Sequence, residues 1–201
     1  MQNLDGFSLP KHLRVLPNGQ TIVGRLAETL TRECDRVICT VKSAEHLDDF
    51  GRAFAGLSKP VELMVKQEGG EFSEIAAVAK VIDSGNVIQT NGDLIFETEV
   101  LVSFLREYST SKHFIRGREG NRANQRGPLA GMLDIFNSRI SVAPLEAFRR
   151  FAAPNKLGAF WEYSRSLLLG HVVKVPTLFN VDTFEDYQRA CDYFTQAAKN
   201  K

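Results

Sequence analysis

Cysteine is scarce in this chain of 201 residues, and there is little else from which a metal knot or a disulfide frame could be built. The three cysteines, Cys34, Cys39 and Cys191, have no metal-ligand spacing, and their odd number argues against a disulfide framework. Reduced thiols in the cytoplasm are the simplest account. His12, His46, His113 and His171 also lack ligand spacing. An excess of charge is missing too. The 25 basic and 24 acidic side chains leave a net charge of +1, which gives no support to a general nucleic-acid or membrane-surface role. No apolar run approaches the length of a transmembrane helix. Residues 1–6 lack the basic and apolar regions of a signal peptide. There is no internal repeat and no low-complexity segment. The single tryptophan, Trp161, reads with Phe160 and Tyr163 as core.

What is present is enough apolar residue, 43%, to fill one core, and the length favours a single domain over residues 1–201. Residues 1–20 are punctuated by Pro10, Pro17, Asn18 and Gly19. Helical spacing follows from Thr21, a natural cap, to Thr31, and a buried strand spans 36–41. Residues 44–57 carry Leu47, Phe50, Phe54 and Leu57 on one helical face. A strand at 60–66, a Gly69-Gly70 loop, a helix at 73–82 and a strand opening at Val87 complete the alternation. Short apolar strands between helices predict an α/β fold, a Rossmann-like three-layer α/β/α sandwich with a mainly parallel sheet. Beyond it, 99–108 reads as helix and 109–130 as a polar, basic surface loop or insertion that could guide an anionic substrate. Next come a strand at 132–136, helices at 143–151 and 160–169, and a strand at 171–175. The closing helix, 184–198, would be capped by Asp182 or Thr183.

The stretch with most chemistry in it is Asn91-Gly92-Asp93, which ends a β-type run and precedes Leu94-Ile95-Phe96. Glycine allows a sharp turn and close approach of a ligand. A carboxylate just past a strand lies where open α/β sheets bind ligands, and suits a divalent metal on a phosphate-bearing substrate. The same three residues would serve equally as a plain turn with a solvated or capping aspartate.

Four stretches in sequence order resemble the nucleotidyltransferases that make nucleotide-sugars and related activated compounds, including the molybdenum-cofactor guanylyltransferase-like group. They are Pro10-Lys11-His12-Leu13 with the helix after Gly19, the Gly69-Gly70 loop, Asn91-Gly92-Asp93, and Asn180-Val181-Asp182-Thr183-Phe184-Glu185-Asp186. The resemblance implies a transfer dependent on Mg²⁺, from a nucleoside triphosphate to a small phosphorylated acceptor, with pyrophosphate released. It implies that Lys11 holds the triphosphate, that Gly69 and Gly70 border the base, and that Asn91 and Gly92 line the substrate. It gives the metal to Asp93 and Asp182. It implies neither a nucleic-acid nor a membrane partner, and it sets no oligomeric state. Without the family, Lys11 is a solvated loop lysine, Asp182 an N-cap and Asn180 a turn residue.

The chain departs from the family in three places. The family opens with a strand and a glycine-rich loop that wraps the triphosphate, and residues 1–9 resemble neither. An extension upstream of Met1, a sheet that closes without that strand, or a catalytically silent relative would each account for it. The last of these gives the alternative function, an inactive nucleotide- or sugar-phosphate-binding domain that acts as a regulatory or oligomerising partner. Phe184 stands where the family has proline, and Leu129-Ala130-Gly131 lacks a polar residue that sugar-specific relatives carry.

Overall fold

The computed structural model describes residues 9–66, 71–113, 115–118, 140–151 and 171–199. The expected strand at 132–136, the helix at 160–169 and the Gly69-Gly70 loop lie outside these residues. The chain divides into two compact units, one of Met1–Val65, Asn91–Val102 and Thr177–Lys201, the other of Lys66–Thr90 and Ser103–Pro176.

The first unit begins with a 3₁₀ turn, Lys11–Leu13, and helix α1, Ile22–Glu33. Thr21 caps α1 through its hydroxyl, which accepts the Gly24 N–H at 3.0 Å. Ile22, Val23, Leu26 and Ala27 form the buried stripe of α1. Strand β1, Val37–Val41, runs parallel to β2, Val61–Val65. Between them the single helix expected over 44–57 is a 3₁₀ turn, Ala44–His46, followed by α2, Leu47–Ala53. The chain leaves the helix early, with Gly56 at φ +81°, a conformation that glycine takes at little cost. The apolar face still works as expected. Phe50 and Phe54 are buried with Leu13, Val23, Ala27 and Val41, and Leu47 and Leu57 pack around them.

Two elements of this unit are too short to show periodicity in the sequence. Strand β4, Leu94–Ile95, pairs antiparallel with β8, Phe179–Asn180. Helix α6, Phe184–Lys199, closes the unit. Leu16, Ile22, Ile95, Val181 and Ala190 form a second core cluster, which ties the turn before α1, the β4–β8 pair and α6 together.

The second unit holds α3, Glu71–Val81, and a sheet in the order β3, Asn86–Thr90; β6, Ile140–Pro144; β5, Ile115–Arg118; β7, His171–Lys174. Helix α4, Thr98–Tyr108, of which the part from Ser103 on belongs to this unit, precedes β5, and α5, Leu145–Phe151, follows β6. Ala79, Val87, Leu145 and Phe148 make its buried cluster.

The structure corrects the sequence reading at two points here. Residues 115–118, expected within a surface loop, form β5, and 140–144 is a strand that takes in the first residues of the helix expected from 143. Because β6 runs antiparallel between β3 and β5, the sheet is mixed. The described pairings are two parallel and three antiparallel, not mainly parallel. The α/β class stands. No helix among the described residues is long and apolar enough to cross a membrane.

Candidate functional site

The candidate site lies within the first unit, and the register of one short strand pair builds it. Leu94 pairs with Asn180 and Ile95 with Phe179, and the Val181 N–H donates to the Asp93 carbonyl at 3.0 Å. Asp93 and Asp182, 89 positions apart in the chain, are thereby set side by side at the end of the ladder. The apolar residues beside them hold this register: Leu94 and Ile95 after Asp93, and Val181 before Asp182, are each no more than 1% exposed.

Lys11 arrives from the 3₁₀ turn. That turn closes through the Leu13 N–H on the Pro10 carbonyl at 2.9 Å, and Leu13 is buried. The segment is anchored further along. The Tyr187 hydroxyl donates to the Val15 carbonyl at 2.6 Å, and the Arg14 guanidinium stacks over the rings of Phe184 and Tyr187 at 5.6 and 5.1 Å. Phe184, the residue that departs from the family's proline, thus supplies one of the faces on which Arg14 rests.

Lys11 Nζ lies 2.7 Å from Asp93 Oδ2 and 2.9 Å from Asp182 Oδ1. The side chains of Lys11 and Asp93 are only 16% and 14% exposed, whereas Asp182 is 57% exposed. One ammonium is therefore shared by two carboxylates, one sheltered and one open to solvent. Burial acts to lower the Lys11 pKa. The hydrogen bonds to Asp93 and Asp182 act the other way and prevail, holding it above its ordinary 10.5. Asn180 Nδ2 donates to the other Asp182 oxygen, Oδ2, and so fixes that carboxylate's orientation. Asp93 Oδ1 is buried with no hydrogen-bond partner among the described residues.

The capping reading of Asp182 is settled by its neighbours. Thr183 and Asp186 cap α6 between them. The Asp186 carboxylate accepts the Thr183 N–H at 2.8 Å and the Thr183 hydroxyl at 2.8 Å, and the Thr183 hydroxyl accepts the Asp186 N–H at 3.1 Å. The Asp182 carboxylate is left to Lys11 and Asn180.

Gly92 sits beside His12. A Cβ built on Gly92 would lie 3.2 Å from His12 Cδ2 and 3.5 Å from Val23 Cγ2, so the backbone approaches a side chain closely there. Asn91 is exposed. His12 carries no spacing signal in the sequence that would mark it for a role. In the structure it is half-buried, and its Nδ1 finds no hydrogen-bond partner among the described residues. Burial lowers its pKa below 6.5 against the raising effect of Asp93, with Lys11 also lowering it. Gly69 and Gly70 lie outside the described residues.

Among the described residues no three His, Cys, Asp or Glu side chains gather as a metal site. The two carboxylates nonetheless fit a hard divalent cation that keeps its waters, since Mg²⁺ needs only one or two carboxylates besides substrate oxygens. The unpartnered, buried Asp93 Oδ1 is the atom that favours such an ion.

No family model matches the chain, and no curated protein matches it in sequence. Solved structures do. HddC from Yersinia pseudotuberculosis is 18% identical with a TM-score of 0.68, over 96% of this chain and 94% of that one. A putative glucose-1-phosphate thymidylyltransferase from Bacillus anthracis is 13% identical with a TM-score of 0.67, over 91% of this chain and 85% of that one. The inositol-1-phosphate CTP transferase from T. maritima is 13% identical with a TM-score of 0.64, over 90% and 84%. The chain has the fold of these structures, among them a thymidylyltransferase and a CTP transferase.

Proposed function

We propose that this chain is a nucleotidyltransferase that moves a nucleotide from a nucleoside triphosphate to a small phosphorylated acceptor, a sugar phosphate or a compound like it. One observation carries the reading. Lys11, Asp93 and Asp182, from three distant parts of the chain, meet at one point in a fold whose structural neighbours include nucleotidyltransferases. The finer architecture, a three-layer α/β/α sandwich, belongs to the same proposal.

In the reaction, an oxygen of the acceptor phosphate attacks the α-phosphorus of the triphosphate. The new P–O bond forms as the bond to the β-phosphate oxygen breaks, and pyrophosphate leaves with that electron pair. Little covalent chemistry falls to the protein, so positioning and neutralisation of charge supply most of the catalysis. Lys11 would meet the triphosphate as a mobile point charge on a flexible stem. Asp93 and Asp182 would hold Mg²⁺, which when bound neutralises phosphate charge and orients the phosphates. Asn180 would keep Asp182 turned toward the site. Asn91 and Gly92 would border the substrate, with Gly92 letting the chain run close beside it, and Gly69 and Gly70 would border the base.

Calorimetric titration with each nucleoside triphosphate, with and without Mg²⁺, tests the reading. Binding of at least one triphosphate, tightened by Mg²⁺, is expected. No binding under any condition would remove this reading and the silent nucleotide-binding alternative together. Binding without pyrophosphate release from the triphosphate in the presence of any acceptor would leave only the silent domain.

A further inference from the structure

The carboxylates suited to a divalent cation already share one positive charge. Lys11 Nζ is within hydrogen-bond distance of both Asp93 Oδ2 and Asp182 Oδ1, on the two side chains that would hold such a cation. An ammonium and a divalent ion cannot both occupy the gap between those side chains, because like charges a few ångströms apart in a sheltered site repel strongly. We propose that Lys11 is an internal competitor for the metal: the ion binds between Asp93 and Asp182 only as the ammonium leaves them.

Three features make the exchange feasible without refolding. The backbone of Lys11 is pinned by the 3₁₀ turn and by buried Leu13, so the movement falls to the four-carbon side chain, which carries a compact charge on rotatable bonds. Asn180 holds Asp182 through Oδ2, leaving Oδ1 to whichever cation is present. Asp93 has a second oxygen, Oδ1, with no partner among the described residues, so an incoming ion gains a ligand that the ammonium does not use.

The exchange couples the two ligands of the site. A displaced Lys11 is available to an anionic substrate, and an anion that draws Lys11 away vacates the carboxylates for the metal. By linkage each then tightens the other. What takes the released ammonium rests on the nucleotidyl-transfer reading, whereas the competition for Asp93 and Asp182 does not.

The test uses the full chain with Mn²⁺ alone, following free Mn²⁺ by electron paramagnetic resonance without nucleotide. Lys11→Gln should bind Mn²⁺ about tenfold or more tightly than wild type, since it removes a full charge in contact with the ligands. Lys42→Gln, which removes an exposed charge outside the ion triple, should change affinity less than about twofold. Circular dichroism checks that both variants fold. In wild type, Mg²⁺ should raise the rate at which an N-hydroxysuccinimide acetate acylates Lys11 several-fold and leave Lys42 unchanged. This arm stands even if Lys11→Gln fails to fold. Equal Mn²⁺ affinity in wild type and Lys11→Gln, equal changes in both variants, no Mn²⁺ binding to any of the three, or Lys11 acylation indifferent to Mg²⁺ would each overturn the proposal. None of these readouts requires nucleotidyl transfer, so their failure is distinct from failure of that function.

Discussion

Lys11 shows how one side chain depends on context that no local pattern carries. In sequence it is a lysine after a proline, and only the order of motifs sets it apart. In the structure it is the sheltered centre of an ion triple. Asp93 and Asp182 were readable for the same reason. His12 and Arg14 were not, because the value of each comes from what lies across from it, Gly92 for one and two aromatic rings for the other. Two predictions belong at this scale. Gly92→Ala forces a methyl to within 3.2 Å of His12, and should destabilise the protein by about 1–3 kcal/mol in urea unfolding while disturbing Asp93 next to it. The second concerns pH. The folded-state pKa of Lys11 is raised, so its stabilisation is fully present below 10.5 and is lost as pH rises through the higher folded value. The stability advantage of wild type over Lys11→Met should therefore be level near neutrality and shrink only above about pH 10.5.

At the scale of elements, long amphipathic segments were readable and short ones were not. Helices α1 and α6 announce themselves by apolar spacing and polar caps. Strands β4 and β8, two residues each, offer no period to detect, yet their pairing sets the site. Strand β6 was hidden because its Ile-Ser-Val-Ala-Pro run abuts a helix directly, and the helical pattern absorbed its end. The cap of α6 gives the prediction here. Burial acts to raise the Asp186 pKa, but hydrogen bonds from Thr183, Arg189 and the Asp182 N–H outweigh it and hold the carboxyl below its ordinary 3.8. The stabilisation is thus present above 3.8 and lost as pH falls through the lower folded value. Asp186→Ala should cost about 0.5–2 kcal/mol at pH 7, and the difference from wild type should persist down to 3.8 and fade only as pH falls further. A difference that persisted unchanged at low pH would contradict the capping account.

For the molecule as a whole, the α/β class was readable from alternating helix and strand, but strand direction was not. Direction in a sheet is decided by which strands meet, and β6 inserts antiparallel between β3 and β5 through contacts distant in sequence. Each unit carries its own buried clusters, and the site belongs to the unit whose cluster joins Leu16, Ile22, Ile95, Val181 and Ala190. Truncating that cluster with Ile95→Ala should cost about 2–5 kcal/mol, read by chemical unfolding, since the side chain is 1% exposed. The fold persists in neighbours only 13–18% identical, which fits an architecture held by apolar pattern with chemistry placed at a few points.

The most direct measurement is pyrophosphate release from each nucleoside triphosphate against a panel of sugar and alcohol phosphates with Mg²⁺, run on wild type, Asp93→Asn and Asp182→Asn. Wild type should turn over at least one pair, and each variant should lose about a hundredfold or more while its circular dichroism is unchanged. No release by wild type with any pair, or turnover in either variant within a few-fold of wild type, would contradict the account.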